Sequence, residues 1–388
     1  MSTVALPRFS SPSRALARPA DWPLWCAGAS SLTVAFGVHW DIAWHRSIGR
    51  DAFWSPPHVA IYAGAVFAAV AALAQILPAT FGPGRSRDDG LRVLGFRGPL
   101  GAFISSWGGV TMLSSAPFDD WWHRTYGLDV KILSPPHVVL ALGILALHAG
   151  ALTAILGAMN RSEAPERRAQ LRSFAVIVGA MLMVTILTLF MEKTLRPSMH
   201  LGSFYFVIGA CIPLVLVGMG EATRWRWAAT ATTAVYSAFL LALLWVFPLV
   251  PAQPKLGPVF TPVHCLLPPE FPLLLVPGAI ALDLWRARRA DRPGVATAAV
   301  GGLCFAAVFL AVQWPFADFL MSPAARNAFW GAIYFDFATP SWSPYKNYLF
   351  FWEGTLPHVV GIVASFGAAA LSGIAGRGLG RWFALLQR

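Results

Sequence analysis

Between Asp41 and His58 the chain reads DIAWHRSIGRDAFWSPPH, which gathers two carboxylates, two imidazoles, two guanidinium groups and a Pro-Pro pair between apolar runs. Asp41 and His45 are four apart, so on a helix they project from one face, one turn apart. His58 opens the next apolar run directly after Pro56 and Pro57, where proline's fixed φ suits a helix start. One helix end thus offers a carboxylate oxygen and an imidazole nitrogen, and the next helix start offers a second imidazole nitrogen. Such a mixed N and O donor set suits copper, zinc or non-haem iron.

The pattern occurs twice. From Asp119 the chain reads DDWWHRTYGLDVKILSPPH, so that Asp119, Trp122, His123, Arg124, Gly127 and the run Ser134 to His137 match Asp41, Trp44, His45, Arg46, Gly49 and the run Ser55 to His58. The second copy carries one extra residue before its last histidine and has Leu128-Asp129 where the first has Arg50-Asp51. Residues 22–80 and 98–160 therefore read as tandem copies of one helical hairpin. Asp41, His45 and His58 are the expected stronger ligand set. Asp119, His123 and His137 are the expected weaker set or a hydrogen-bonded scaffold, because the arginine that could orient a ligating carboxylate is missing.

The spacing Asp-x3-His-x12-His resembles the metal-binding segment of the C subunit of the particulate methane and ammonia monooxygenases, with the same ligand types at the same two spacings. Trp44, Arg50-Asp51, Trp54, Ser55 and Pro56 fall where that family places similar residues. The resemblance covers about residues 41–62, with the degenerate copy at 119–137. It implies copper at these ligands, oxidation of a small apolar substrate by O2, and other membrane subunits as partners; a homo-oligomer is the alternative assembly.

Composition determines what carries these motifs. Of 388 residues, 56% are hydrophobic and 12% charged, against ~25% charged in soluble domains. Apolar runs of bilayer length fall at 22–40, 58–79, 98–117, 137–159, 173–192, 200–219, 226–248, 271–285, 295–315 and 357–375. The expected fold is all-α: a polytopic membrane bundle of about ten transmembrane helices forming one integral domain over 21–388. Pro268, Pro269, Pro272 and Pro277 crowd the start of the eighth. Residues 1–20, rich in Ser, Pro and Arg, read as a disordered tail without a removable signal peptide.

A net charge of +11 raises the question of nucleic acid, but the placement of the arginines answers it. They cluster before the first span and after each even-numbered one, as at Arg161, Arg167, Arg168 and Arg172, or Arg286, Arg288, Arg289 and Arg292. Basic residues in alternate connections follow the positive-inside rule, so the partner is a lipid bilayer and not nucleic acid. The reading is an integral protein of a bacterial inner membrane with both termini cytoplasmic. The metal motifs, and with them Ser47, then lie in outward connections.

Fainter echoes follow. His200, His264 and His358 each stand within three residues of a proline near the start of a later span, with Glu192, Asp318 and Glu353 as neighbouring acids. His39 and His148 read as core histidines. Cys26, Cys211, Cys265 and Cys304 form no CxxC pair and read as packing residues. The aromatic-rich segment 316–356 is long enough to be a lid over the outer mouth, with room for a short interfacial helix. Besides an oxidase, the residues allow a non-enzymatic metal-handling or transport protein, which lacks the expected Met-rich or paired-Cys signs. A haem-binding electron carrier is the third reading, and it needs facing histidines at mid-membrane.

Overall fold

The computed structural model describes residues 21–82, 90–127, 133–271 and 273–386; the expected N-terminal tail and Leu128-Asp129 lie outside them. The described chain is helical: α1 (Trp22–Ser47), α2 (Pro56–Phe81), α3 (Leu100–Tyr126), α4 (Pro135–Arg161), α5 (Pro165–Leu189), the single turn α6 (Met191–Thr194), α7 (Gly202–Thr223), α8 (Ala228–Val246), α9 (Leu275–Arg288), α10 (Val295–Met321) and α11 (Thr355–Leu385). Each of the ten apolar runs falls on one of these helices. Seven of them, α2, α4, α5, α7, α8, α10 and α11, are long and apolar enough to cross a bilayer. The protein is thus an integral membrane helix bundle.

The other three helices that carry apolar runs differ for visible reasons. α1 and α3 reach 26 and 27 residues but are diluted by Gly, Ser and Trp. Those small residues close the hairpins: Ser30 Oγ donates to Gly64 O of α2 at 2.7 Å, and a Cβ on Gly108 of α3 would lie 2.7 Å from Gly143 O of α4. α9 has only 14 residues; it starts directly after an inverse γ-turn at Leu274 (φ −76°, ψ 61°), closed by Leu275 N–H on Leu273 O at 2.9 Å. A two-stranded hairpin, β1 (Leu91–Val93) and β2 (Phe96–Gly98), joins α2 to α3; its turn residues Leu94 and Gly95 both have positive φ.

Successive long helices reverse direction, so the connections sort to two ends. At one end Arg167 Nε donates to Asp21 at 3.1 Å, tying the starts of α5 and α1, and Asn160 Nδ2 donates to Phe383 O and Leu386 O at 2.9 Å, tying the ends of α4 and α11. Both ends of the described chain therefore lie together. The opposite end is knit from residues 48–55, 195–201, 250–274 and 322–354: Lys255 N donates to Ile48 O at 2.9 Å, Phe337 N to Arg46 O at 3.3 Å, and Phe351 N to Pro197 O at 2.8 Å. Segment 322–354 covers this end as a lid, but the short helix expected in it is absent among the described residues. Only a three-residue turn, Pro323–Ala325, forms, since Pro340, Pro344 and Gly331 interrupt any longer run.

Candidate metal centre

α1 runs on past its apolar stretch through Asp41 and His45, and stops at Gly49. Gly49 has φ +80°, and its N–H closes the helix on Trp44 O at 3.1 Å. A Cβ there would also strike the Phe337 ring at 2.5 Å, so glycine serves both the helix end and the lid contact. Ser55, extended at ψ 147°, then feeds Pro56 into α2. These two boundaries bring both expected imidazoles up to Asp41. His58 Nε2 lies 3.3 Å from Asp41 Oδ1, and His45 Nε2 lies 3.8 Å from Asp41 Oδ2.

A fourth group joins them that the spacing alone did not mark as a ligand. Asp51 Oδ2 is 3.3 Å from His45 Nε2 and 3.4 Å from His58 Nε2. Asp41, His45 and Asp51 offer donor atoms all within 4.8 Å of one another. Burial pushes the Asp51 carboxyl up, but the hydrogen bond from His45 and the charges of His45, His58 and, from the second hairpin, His123 outweigh it and hold the group at about 2. The Arg50 side chain is exposed; what this position supplies is its carbonyl, which accepts from Trp44 Nε1 at 2.8 Å. Tyr62, one turn beyond His58, donates to Phe53 O at 3.1 Å and fixes the connection.

The second hairpin repeats the construction. α3 ends at Gly127, φ +88°, whose N–H reaches His123 O at 3.1 Å, and α4 begins at Pro135 after an extended Ser134. His123 Nε2 lies 3.3 Å from Asp119 Oδ2, and His137 Nε2 lies 3.5 Å from Asp119 Oδ1. Asp119, His123 and His137 again place donor atoms within 4.8 Å of one another. His123 Nδ1 sits 3.1 Å from Gly127 O, the kind of carbonyl contact that fixes a ligating imidazole's tautomer. The position of Tyr62 is taken by Ala141.

Each cluster offers donor atoms that could hold a metal ion. Asp41 Oδ1 and Asp119 Oδ1 are buried, each with an imidazole nitrogen 3.3 to 3.5 Å away. A positive charge stabilises such converging acceptors, whether an imidazolium or a bound cation, and imidazole nitrogen with carboxylate oxygen is a donor set that could hold copper, zinc or non-haem iron. The clusters open on one cavity of about 90 Å³, to which Asp41 contributes from the first and His137 from the second. Its remaining walls are mainly aliphatic, among them Val38, Ile61, Leu140 and Ile144.

A buried ion cluster braces the first site from behind. Arg46, beside His45, donates through Nη1 to Pro268 O at 2.9 Å, bonds Asp336 of the lid through Nε, and lies 3.6 Å from Glu270. Glu270 accepts from Arg196 Nε at 2.8 Å and from the Tyr345 hydroxyl. Burial raises the Glu270 carboxyl, but Arg196 and Arg46 outweigh it and hold it below the usual glutamate range. Ser47, read from the sequence as part of an outward loop, is instead the last residue of α1 and fully buried, with its hydroxyl accepting from Leu267 N at 2.7 Å.

The other histidines take separate places. His200 is stacked between Trp314 and Phe350, with ring centroids at 4.2 and 3.8 Å, and pairs with Asp318 at 3.3 Å instead of Glu192. His358 faces Glu353 at 3.8 Å. His264 is exposed and stands well before α9. His148 Nε2 is 2.9 Å from Thr185 Oγ1 and His39 Nδ1 is 3.0 Å from Ala35 O, both core contacts. No protein-family model, no curated protein and no solved structure matches this chain.

Proposed function

We propose that the protein is a membrane metalloprotein that binds copper at Asp41, His45, Asp51 and His58, with a second, weaker site at Asp119, His123 and His137, and that oxidises a small apolar substrate in the manner of the copper membrane monooxygenases. The observation that carries this reading is the pair of convergent nitrogen and oxygen clusters opening on one apolar cavity. A bound copper ion would supply redox chemistry toward O2. The chain's own residues do the rest. The two helix boundaries hold each imidazole against its carboxylate, and the ion cluster around Glu270, tied to the lid through Asp336 and Tyr345, fixes the end of α1. The cavity is smaller than the ~150 Å³ void that accommodates benzene, so it suits a substrate of a few carbon atoms entering from the bilayer.

The same reading orients the molecule. Arg161, Arg167, Arg168, Arg224, Arg286 and Arg288 all fall at the end away from the clusters, so that end is placed in the cytoplasm and the clusters at the outer face of a bacterial inner membrane.

Metal analysis of the detergent-purified protein tests the site. The native chain should carry copper, and the His45→Ala, His58→Ala double variant should lose the ion of the first site. An imidazolium paired with a carboxylate would satisfy the same charges with no metal, so a metal-free native protein, or unchanged content in the double variant, would sink the assignment. Non-enzymatic metal handling is separated by substrate-dependent O2 uptake in membranes, which only an oxidase shows.

A further inference from the structure

A cavity of about 880 Å³ opens at the end of the bundle opposite the metal clusters, between the end of α7, the end of α9 and the start of α10. It is far larger than the cavity beside the clusters and has the opposite character. Arg224, Arg226, Arg286, Arg288 and Arg289 line it, against a single carboxylate, Glu221. We propose that this cavity binds the phosphate headgroup of an acidic phospholipid.

The arginines are built into position. Arg224 caps α7 in the left-handed conformation, φ +53°, which turns the chain so that Arg226 follows it on the cavity rim. Arg286 lies across Gly220, where a Cβ would fall 1.6 Å from Nη1, so only glycine admits the guanidinium. Arg286 reaches Glu221 at 3.5 Å, a long contact made through Nη2 alone. Arg289 lies 5.0 Å over the Trp285 ring and Arg226 5.0 Å over Trp227, placements that hold a guanidinium by its face and leave its N–H edge for an anion.

The nearby acids also have partners outside the cavity, although Asp283 acts on the charge of Arg286 as well. Asp283 accepts from Thr230 N and Thr230 Oγ1, both at 2.8 Å, and the exposed Asp291 lies 3.5 Å from Arg292. Gly294, the N-cap of α10, and Thr297 in its first turn also line the cavity, where a helix start adds unpaired N–H groups and partial positive charge. An assembly of forked donors, little counter-charge and a volume within the ~300–1,000 Å³ range of ligand sites recognises phosphate.

A lipid is favoured over a free anion by the surface that leads away from the cavity. Leu284 lines it and is 37% exposed, and Ile280, one turn earlier on the same face of α9, is 37% exposed as well. Followed along α9, this face runs from two aliphatic side chains to Arg288 at four-residue steps. That order matches an acyl chain below its headgroup, and basic pockets at helix ends are where acidic lipids dock. The proposal stands independently of the metal reading.

Native mass spectrometry of the full chain in detergent, with phosphatidylglycerol or phosphatidylcholine added, tests it. Phosphatidylglycerol should be retained about tenfold better. The Arg226→Gln, Arg288→Gln, Arg289→Gln variant should lose retention on the order of a hundredfold, at about fivefold per arginine removed. An Arg377→Gln, Arg381→Gln control, outside the cavity, should not. Should the triple variant fail to fold, Arg288→Glu at its exposed position should still lower retention several-fold. Equal retention of the two lipids, or native retention in both cavity variants, overturns the proposal. Saturation by millimolar inorganic phosphate with no lipid preference overturns it too, assigning the cavity to a soluble anion.

Discussion

Asp51 separates a local motif from a site. Asp41, His45 and His58 follow from helical spacing and a proline-fixed helix start, whereas Asp51 enters only because Gly49 ends α1 and folds residues 50–55 back over the two imidazoles. If Asp51 is a ligand, Asp51→Asn should weaken copper at the first site by at least the ~10–100-fold typical of lost supporting groups, read by chelator competition. Asp119→Asn should leave that affinity unchanged, and an unaltered affinity in Asp51→Asn would remove Asp51 from the ligand set. Arg46→Ala divides roles differently. It should keep the metal and lose stability, because the guanidinium faces Asp336, Glu270 and Pro268 O and none of the proposed ligands.

At the scale of elements, the connections carry as much of the architecture as the helices. Glu270 sits in the long link between α8 and α9 and holds Arg196 and Tyr345 around itself, so three otherwise irregular segments share one buried carboxylate. Removing one partner of such a cluster leaves an uncompensated charge, which typically costs ~3–5 kcal/mol. Glu270→Ala should therefore lower stability by about that amount in detergent unfolding. The sign with pH follows from the lowered carboxyl. The folded state holds the charged form more tightly than the unfolded one, so its contribution is complete above the ordinary glutamate range and is lost as pH falls through the depressed folded value. Acid unfolding that is the same in native protein and Glu270→Gln would show that the cluster contributes nothing. The helices meet this end on close seams, as where a Cβ on Gly209 of α7 would lie 2.4 Å from Ser365 O of α11. Gly209→Val should force the two apart, at about 1–3 kcal/mol.

For the whole molecule, what was legible in the sequence depended on contact range. The apolar runs each lie on a helix, and the ligand sets rest on spacings of four to fourteen residues; Asp119, His123 and His137 converge, whereas in the first hairpin the converging group is Asp41, His45 and Asp51, with His58 close to both carboxylates. Ser47 was misread as exposed because its partner, Leu267, is more than two hundred positions away, and the Arg46 to Asp336 bond has no local signature either. The lid was visible as an aromatic excess, but its irregular path depends on packing against residues 250–274, which no periodicity encodes. Orientation in the bilayer is the remaining large-scale property, and it rests on charge: arginines crowd the end where α4, α7 and α9 finish. In a cysteine-free background, Ser341→Cys in the lid, an exposed position, should react with a membrane-impermeant thiol reagent in intact cells. Glu163→Cys, exposed between α4 and α5, should react only after the membrane is opened. Because the two residues lie at opposite ends of one bundle, the pair gives a signed answer. Labelling of Glu163→Cys alone would invert the molecule, placing the metal clusters inside and the arginine-lined cavity outside.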